Sequence, residues 1–430
     1  MEQAPHARSP LLGLLSFFAV TLVLLQAPPA SASGKYKVLH SFAGGEDGIA
    51  PIGNLVFDAN GNLYGTTTQG GGTTECHGAY EGCGIVFQLV PQKNGSWMEN
   101  VLYRFPNGAT GGVGLNGSLV LDAAGHVYGT AFWGGESQVG SVFQLTHGSN
   151  GWTESTIYAF CPHGCDDGEN PESGVIFDKS GSLFGTTAQG GTAQSGVIYK
   201  LTPGSNGWTE SVLFNFCLSR PCQSGFNAWG LLEDAKGNFY STTTWGGNFS
   251  WPCTPGAGCG AIFELQPEGN SWKYSVLHPF FGPTDGAFTS AGVIQDASGN
   301  FYGTTTGDGA FGCGTVFRLA PNGENWNYEV LYNLRTGVTR GSLTIDSAGN
   351  LYGANTVYPG YTCQDSGSGE IFELSPAPVH WKYTTLYKFG GGQDGAMPNS
   401  GLIRDQNGSF YGVTSGGGAN GGGVVFEFTP

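Results

Sequence analysis

Charged residues are scarce in this sequence, 11% of 430, against an average near 25%. Positive charge is scarcest: 16 Lys plus Arg stand against 32 Asp plus Glu, a formal net charge of -16. So acidic a chain lacks the basic footprint that nucleic acid or an anionic membrane surface requires, and neither is an expected partner. Long apolar runs are also lacking, since the stretch Leu11 to Leu25 falls short of the roughly 20 residues that span a bilayer. Catalytic signatures are missing too: there is no G-x-S-x-G elbow, no H-E-x-x-H, no C-x-x-C-H and no phosphate-cradling G-x-x-x-x-G-K. Glycine is in excess, 76 residues, but without the three-residue period of collagen. Because 39% of residues are hydrophobic and 13% aromatic, the chain has surface to bury and is not disordered. A large, loop-rich, all-β fold remains.

Arg8, the apolar stretch and the small-residue segment Ala30-Ser31-Ala32 together read as a secretory signal peptide over residues 1–32, leaving 33–430 as the mature chain. An uncleaved anchor is the alternative, disfavoured by the short apolar stretch. The expectation is a secreted protein, extracellular or periplasmic, with no membrane insertion after cleavage.

Internal repeats dominate the mature chain. Gly61-Asn62-Leu63-Tyr64-Gly65-Thr66-Thr67 returns as GHVYGTA from Gly125, GSLFGTT from Gly181, GNFYSTT from Gly237, GNFYGTT from Gly299, GNLYGAN from Gly349 and GSFYGVT from Gly408. An Asp stands three residues before each Gly: Asp58, Asp122, Asp178, Asp234, Asp296, Asp346 and Asp405. A GxVFxL element and a Trp-started run ending L-Y-x-F complete the unit. Each unit therefore offers four short strands separated by turn residues, here a (Asn54 to Phe57 in the first unit), b (GNLYGTT), c (GxVFxL) and d (Trp97 to Phe105). The Asp residues read as caps of an a–b turn with Gly in the left-handed position. Trp97, Trp152, Trp208, Trp272, Trp326 and Trp381 read as packing between sheets.

Removing the leader leaves about 57 residues per unit, and repeats of about 50–64 residues accommodate a four-stranded blade with long loops. An open solenoid is the competing architecture. The chain ends decide: the mature chain starts with a lone d-strand, Lys35 to Phe42, and stops at Pro430 just after a c-strand. Only a ring supplies the last blade with its fourth strand. The expected fold is a seven-bladed β-propeller of four-stranded antiparallel blades, closed by the N-terminal strand.

The repeat D-x-x-G-N-L-Y-G-T-T, followed by GG, G-x-V-F-x-L and L-Y-x-F, resembles that of the bacterial GloVer-repeat family of choice-of-anchor tandem repeat proteins. The resemblance covers nearly the whole mature chain and implies a secreted bacterial repeat protein. It carries no activity and no catalytic residue. Such proteins typically bear a C-terminal anchor, and this sequence ends at Pro430.

In such a blade the d–a and b–c loops share one face, here the top. The a–b and c–d links are short and uniform, whereas the b–c loops vary widely, and variable loops on a rigid scaffold are where function sits. All ten Cys fall on the top face, and an even count in a secreted chain reads as disulfides: Cys76–Cys83, Cys161–Cys165, Cys217–Cys222, Cys253–Cys259 and Cys313–Cys363. Zinc at Cys161, His163 and Cys165, or at Cys76 and His77, is the rival reading.

Asp47, Asp167, Asp285 and Asp394 recur in d–a loops, as calcium ligands near the channel mouth or as Asp-Gly turns. No other cofactor is expected. Of the loop aromatics, which include Phe132 and Phe249, the candidate ligand-binding residues are Trp133, Phe226, Trp229, Trp245, Trp251 and Tyr361; the richest loops lie in the fourth blade and its neighbours. The leading expectation is a monomeric extracellular binding or scaffold module for carbohydrate or protein, without catalysis. The alternative is a secreted glycan hydrolase or lyase using Asp47, Asp167, Glu169, Asp285 and Asp394.

Overall fold

The computed structural model describes residues 34–430 except 73–75, 77–81, 107–113, 220, 251–252, 254–255, 358–362 and 364–366. The expected leader lies outside the described residues. Each repeat folds as one antiparallel sheet, seven in all, forming a seven-bladed β-propeller with almost no helix. In blade 1 the strands are a (Val56–Phe57), b (Leu63–Gln69), c (Ile85–Pro91) and d (Trp97–Arg104). Blade 7 takes a, b and c from Ile403–Arg404, Phe410–Thr414 and Val424–Thr429. Its strand d is Lys35–Ser41, paired Lys35 to Thr429 and Ser41 to Val424. The N-terminal strand thus closes the ring, as the phase of the repeat requires.

Local chemistry explains the repeat. At the a–b turn, Asp58 Oδ1 accepts the backbone N–H groups of Asn60 and Asn62 at 2.8 and 2.9 Å, while Oδ2 accepts the Asn62 amide at 2.7 Å. Gly61 sits at φ +80°, which costs Gly nothing. Burial pushes the Asp58 carboxyl up, but the bonds from Asn62 and Asn60 outweigh it and hold the group below its ordinary range. The two backbone bonds to Oδ1 recur at the other six Asp residues, so these are turn caps. In the ladder Gly65 faces Phe87, and a Cβ there would lie 2.5 Å from the Phe87 ring. The Gly of strand b and the aromatic of strand c are complementary halves of one contact.

The core lies between blades. Trp97 of blade 1 meets Tyr411 of blade 7 with ring centroids 6.2 Å apart, and Trp208 of blade 3 meets Tyr128 of blade 2 likewise. Further out, the residue two after the Trp on strand d, or after Gly34 in its place on blade 7, meets the residue at the sixth place after it on the preceding blade. Four of these contacts are ring stacks: Phe214 on Tyr274 (4.0 Å), His278 on Tyr328 (3.9 Å), Tyr332 on Tyr383 (4.7 Å) and Tyr387 on Tyr36 (4.1 Å). At the other three boundaries the place of the Tyr is taken by Glu99, Glu154 and Glu210, beside His40, Tyr103 and Tyr158.

The blades depart from the expected four strands in one respect. The d–a loop adds a short inner piece that pairs with the top of strand b, as in Ile49–Pro51 and Phe226–Ala228. Its middle residue is left-handed even when not Gly: Ala50, Asn170, Asn227, Phe288 and Met397 lie at φ 55° to 59°. This twist aims the backbone N–H at the preceding blade in four of them: Ala50 to the Gly422 carbonyl (2.9 Å), Asn170 to Val139 (2.7 Å), Phe288 to Cys259 (3.0 Å) and Met397 to Ser368 (2.8 Å). The bond gained offsets the conformational cost.

Candidate functional site

Five disulfides frame the top face. All the expected pairs are formed, with Cα separations of 5.4, 4.3, 4.6, 5.3 and 5.2 Å, and no free Cys remains. The zinc reading of Cys161, His163 and Cys165, and of Cys76 and His77, therefore loses its thiolates. Four bridges lie within single loops. Cys313–Cys363 ties blade 5 to blade 6.

The Cys217–Cys222 bridge lines a cavity of about 780 Å³ on the top face, at blades 3 and 4, which the loop closed by Cys253–Cys259 reaches through Gly256. Its aromatic wall consists of Phe132, Phe226, Trp245 and Phe249, each half-buried. Phe226 and Trp245 are direct partners in the inner piece of blade 4, so the ladder fixes them side by side. Cys217, Cys222 and Gly256 lie in the same wall. The polar edge is formed by Gln189, Gln194, Asn227 and Glu172. Burial raises the Glu172 carboxyl above its ordinary range, opposed by a hydrogen bond from Asn227 and by the positive charge of Arg340. Two acceptors in this edge, Glu172 Oε2 and Asn227 Oδ1, are buried and hydrogen-bond to no protein donor.

Among the expected ligand-binding residues, Phe226 and Trp245 therefore share the cavity. Trp229 lies elsewhere: its indole N–H donates to Thr244 Oγ1 and to the Thr289 carbonyl, both at 2.8 Å, tying blade 4 to blade 5. Trp133 packs edge-on to Phe132 (4.6 Å) and against the core between blades 1 and 2. Trp251 and Tyr361 lie outside the described residues. Glu172, Gln189, Gln194 and Asn227 are not among the residues expected from sequence. Glu172 had one available signal: it is the acid at the place occupied by Ile52, Asn116, Trp229, Ser290, Arg340 and Asn399 in the other repeats.

The calcium candidates do not converge. Each loop carboxylate turns to its own strand d and its own loop: Asp47 bonds His40 (3.0 Å) and the Ala43 N–H, Asp167 bonds Tyr158 (2.7 Å) and the Cys161 N–H, Asp285 bonds His278 (2.8 Å) and the Phe281 N–H, and Asp394 bonds Tyr387 (2.9 Å) and the Gly390 N–H. Among the described residues, no group of three metal-capable side chains contains two of these four. None of the five carboxylates of the enzyme alternative lines the cavity. No helix among the described residues is long and apolar enough to cross a membrane.

Comparison with solved structures returns the same architecture. A fungal alcohol oxidase in complex with copper is 15% identical, with 93% of this chain covering 76% of it at a TM-score of 0.54. A polysaccharide lyase, an ulvan lyase bound to -[GlcA(1-4)Rha3S]-, is 12% identical, with coverage of 90% and 95% and a TM-score of 0.54. The extracellular domain of a one-component system from B. thetaiotaomicron is 10% identical at a TM-score of 0.51, and this chain spans 42% of it. At such identities the likeness is one of fold. No curated protein matches the chain. The Gloeobacter/Verrucomicrobia repeat matches residues 71–251 and 211–426, and with the D-x-x-G-N-L-Y-G-T-T units in every blade this places the protein in that repeat family.

Proposed function

We propose that this protein is a secreted binding module that holds a saccharide in the top-face cavity at blades 3 and 4. The observation that carries the reading is the pairing of Phe226 and Trp245, held side by side by the ladder in a cavity that Glu172 and Asn227 also line. Rigid rings stack on the apolar faces of sugars, and the polar side chains of Gln189, Gln194, Asn227 and Glu172 along the edge offer partners for hydroxyls; both lie within one cavity large enough for a small oligosaccharide. The bridges Cys217–Cys222 and Cys253–Cys259 hold the loops in place, which lowers the entropy lost on binding. Five disulfides fit an oxidising, extracellular setting.

A glycan array followed by calorimetric titration of the best hit tests this. Trp245→Ala is expected to weaken binding at least about tenfold with little change in melting temperature. An array with no hit, or a Trp245→Ala protein that binds as the parent does, overturns the reading.

One observation favours an enzyme as the second reading. Glu172 is a carboxyl raised by burial on the wall of a cavity, the state of a general acid. Release of cleaved product from the bound glycan, lost in Glu172→Gln, replaces the binding module with a glycan-cleaving enzyme.

A further inference from the structure

Strand d of blade 7 and strand d of blade 1 meet in an arrangement that no other boundary repeats. His40 on the closing strand, Asp47 in the loop that follows it and Glu99 on blade 1 each offer one ligand atom, and these atoms lie within 4.8 Å of one another. His40 Nε2 is 3.0 Å from Asp47 Oδ1 and 3.7 Å from Glu99 Oε2. Two carboxylates thus face one imidazole, and Glu99 Oε1 is buried with no hydrogen-bond partner.

The boundary between blades 4 and 5 is the internal control. There the same three places hold His278, Asp285 and Tyr328. The imidazole again meets the aspartate, at 2.8 Å, but Tyr328 stacks on His278 and donates its hydroxyl to the Asp285 carbonyl at 2.7 Å. That boundary is closed by a ring and a neutral donor. At Glu99 the ring is absent and a second acid takes its place, an arrangement that a cation completes. Between blades 2 and 3 two acids are present, Asp167 and Glu210, but Tyr158 stands where His40 would be.

We propose that His40, Asp47 and Glu99 form a zinc site that pins the ring-closing strand to blade 1. One imidazole nitrogen with two carboxylate oxygens suits a borderline divalent ion; calcium prefers oxygen ligands alone. In a tetrahedral site, ligand atoms about 2.1 Å from the ion stand about 3.4 Å from one another, so small side-chain movements bring these three into place. Their side chains are 20%, 21% and 15% exposed, which leaves solvent access for a water as fourth ligand. The clamp would fix the closing strand, whose other edge pairs with strand c of blade 7.

The test uses the untagged full-length chain stripped of metal and titrated with zinc chloride by calorimetry, with thermal unfolding run alongside. One zinc per chain and a rise in melting temperature of at least about 2 °C at saturating zinc are expected. Glu99→Tyr, which copies the boundary between blades 4 and 5, should fold, bind no zinc and show no zinc-dependent rise. Glu99→Gln, nearly the same size, should weaken zinc at least about tenfold and serves if the Tyr variant does not fold. A wild-type protein that takes up no zinc overturns the proposal, as does zinc binding that survives in the variants.

Discussion

The ring is built from equivalent blades but is not uniform: blades 4 to 7 are joined to their predecessors by stacked rings, whereas blades 1 to 3 are joined through a glutamate. At three of the four stacked boundaries the Tyr hydroxyl donates to a carbonyl of the preceding d–a loop, Tyr274 to Ser224, Tyr328 to Asp285 and Tyr36 to Asp394, while Tyr383 donates within its own blade to Glu370 Oε1 at 2.6 Å. In the glutamate half, Glu99 Oε1 and Glu210 Oε1 are buried with no hydrogen-bond partner. One register position thus serves packing on one side of the ring and leaves titratable groups on the other. A tyrosine fills the space and satisfies its own polar atom; of the glutamates, Glu154 accepts a hydrogen bond from Thr156 Oγ1 at 3.0 Å, whereas Glu99 and Glu210 each keep one buried oxygen without a partner.

The largest effect expected from this contrast is in stability. Tyr328→Ala removes a stacked ring and a hydrogen bond, and should cost about 3 kcal/mol. Glu210→Ala, at the same register, should change stability by less than about 1 kcal/mol. Equilibrium unfolding in guanidinium resolves the two; equal costs would erase the distinction between the halves.

A smaller gain is expected from converting one half into the other. Glu210→Tyr places a ring beside Tyr158, as at the stacked boundaries, and should stabilise by about 1 kcal/mol, read as a higher denaturation midpoint. A lower midpoint would show that the glutamate boundaries are spaced for a carboxyl.

The smallest effect is the pH dependence. Burial, then the charge of Asp167, raise the Glu210 carboxyl to about 7. An acid whose folded value lies above its unfolded one of about 4.5 binds more proton when folded, so its stabilisation is complete below about pH 4.5 and is lost as pH rises through about 7. Solvent screening reduces the effect to about 1 kcal/mol or less. Melting temperatures of the parent and of Glu210→Gln should therefore converge near pH 5 and differ most near pH 8, the parent being lower there. Parallel curves would place the titration elsewhere.

Much of the fold was legible in the chain. The Asp58-to-Tyr64 turn joins residues close in sequence and recurs with its Asp in every repeat, and the Trp-started outer strand recurs in six, so the repeats state these in their own letters. Closure was legible as well, because a lone strand d before Gly61 and a missing one after Val424–Thr429 permit one phase. Within the candidate site, Phe226 and Trp245 were legible as loop aromatics. The place of Trp229 was not legible, because its indole bond to the Thr289 carbonyl reaches the neighbouring blade.

The chain alone dictated the number of blades, their strand order, the closing strand, the turn caps and the four disulfides within single loops, since each depends on spacing within a repeat or on counting repeats; Cys313–Cys363, which joins two blades, followed as the one pair left over. The tertiary structure alone decided which top-face side chains share a cavity, and that Glu172 and Asn227 stand beside Phe226 and Trp245. It also decided that His40 and Asp47 meet Glu99. The contacts of Glu172 with the blade 4 residues, and of His40 and Asp47 with Glu99, join places about fifty residues or more apart in the chain. No local pattern ranks one such pairing above another, because only the angle at which successive blades pack brings them within reach.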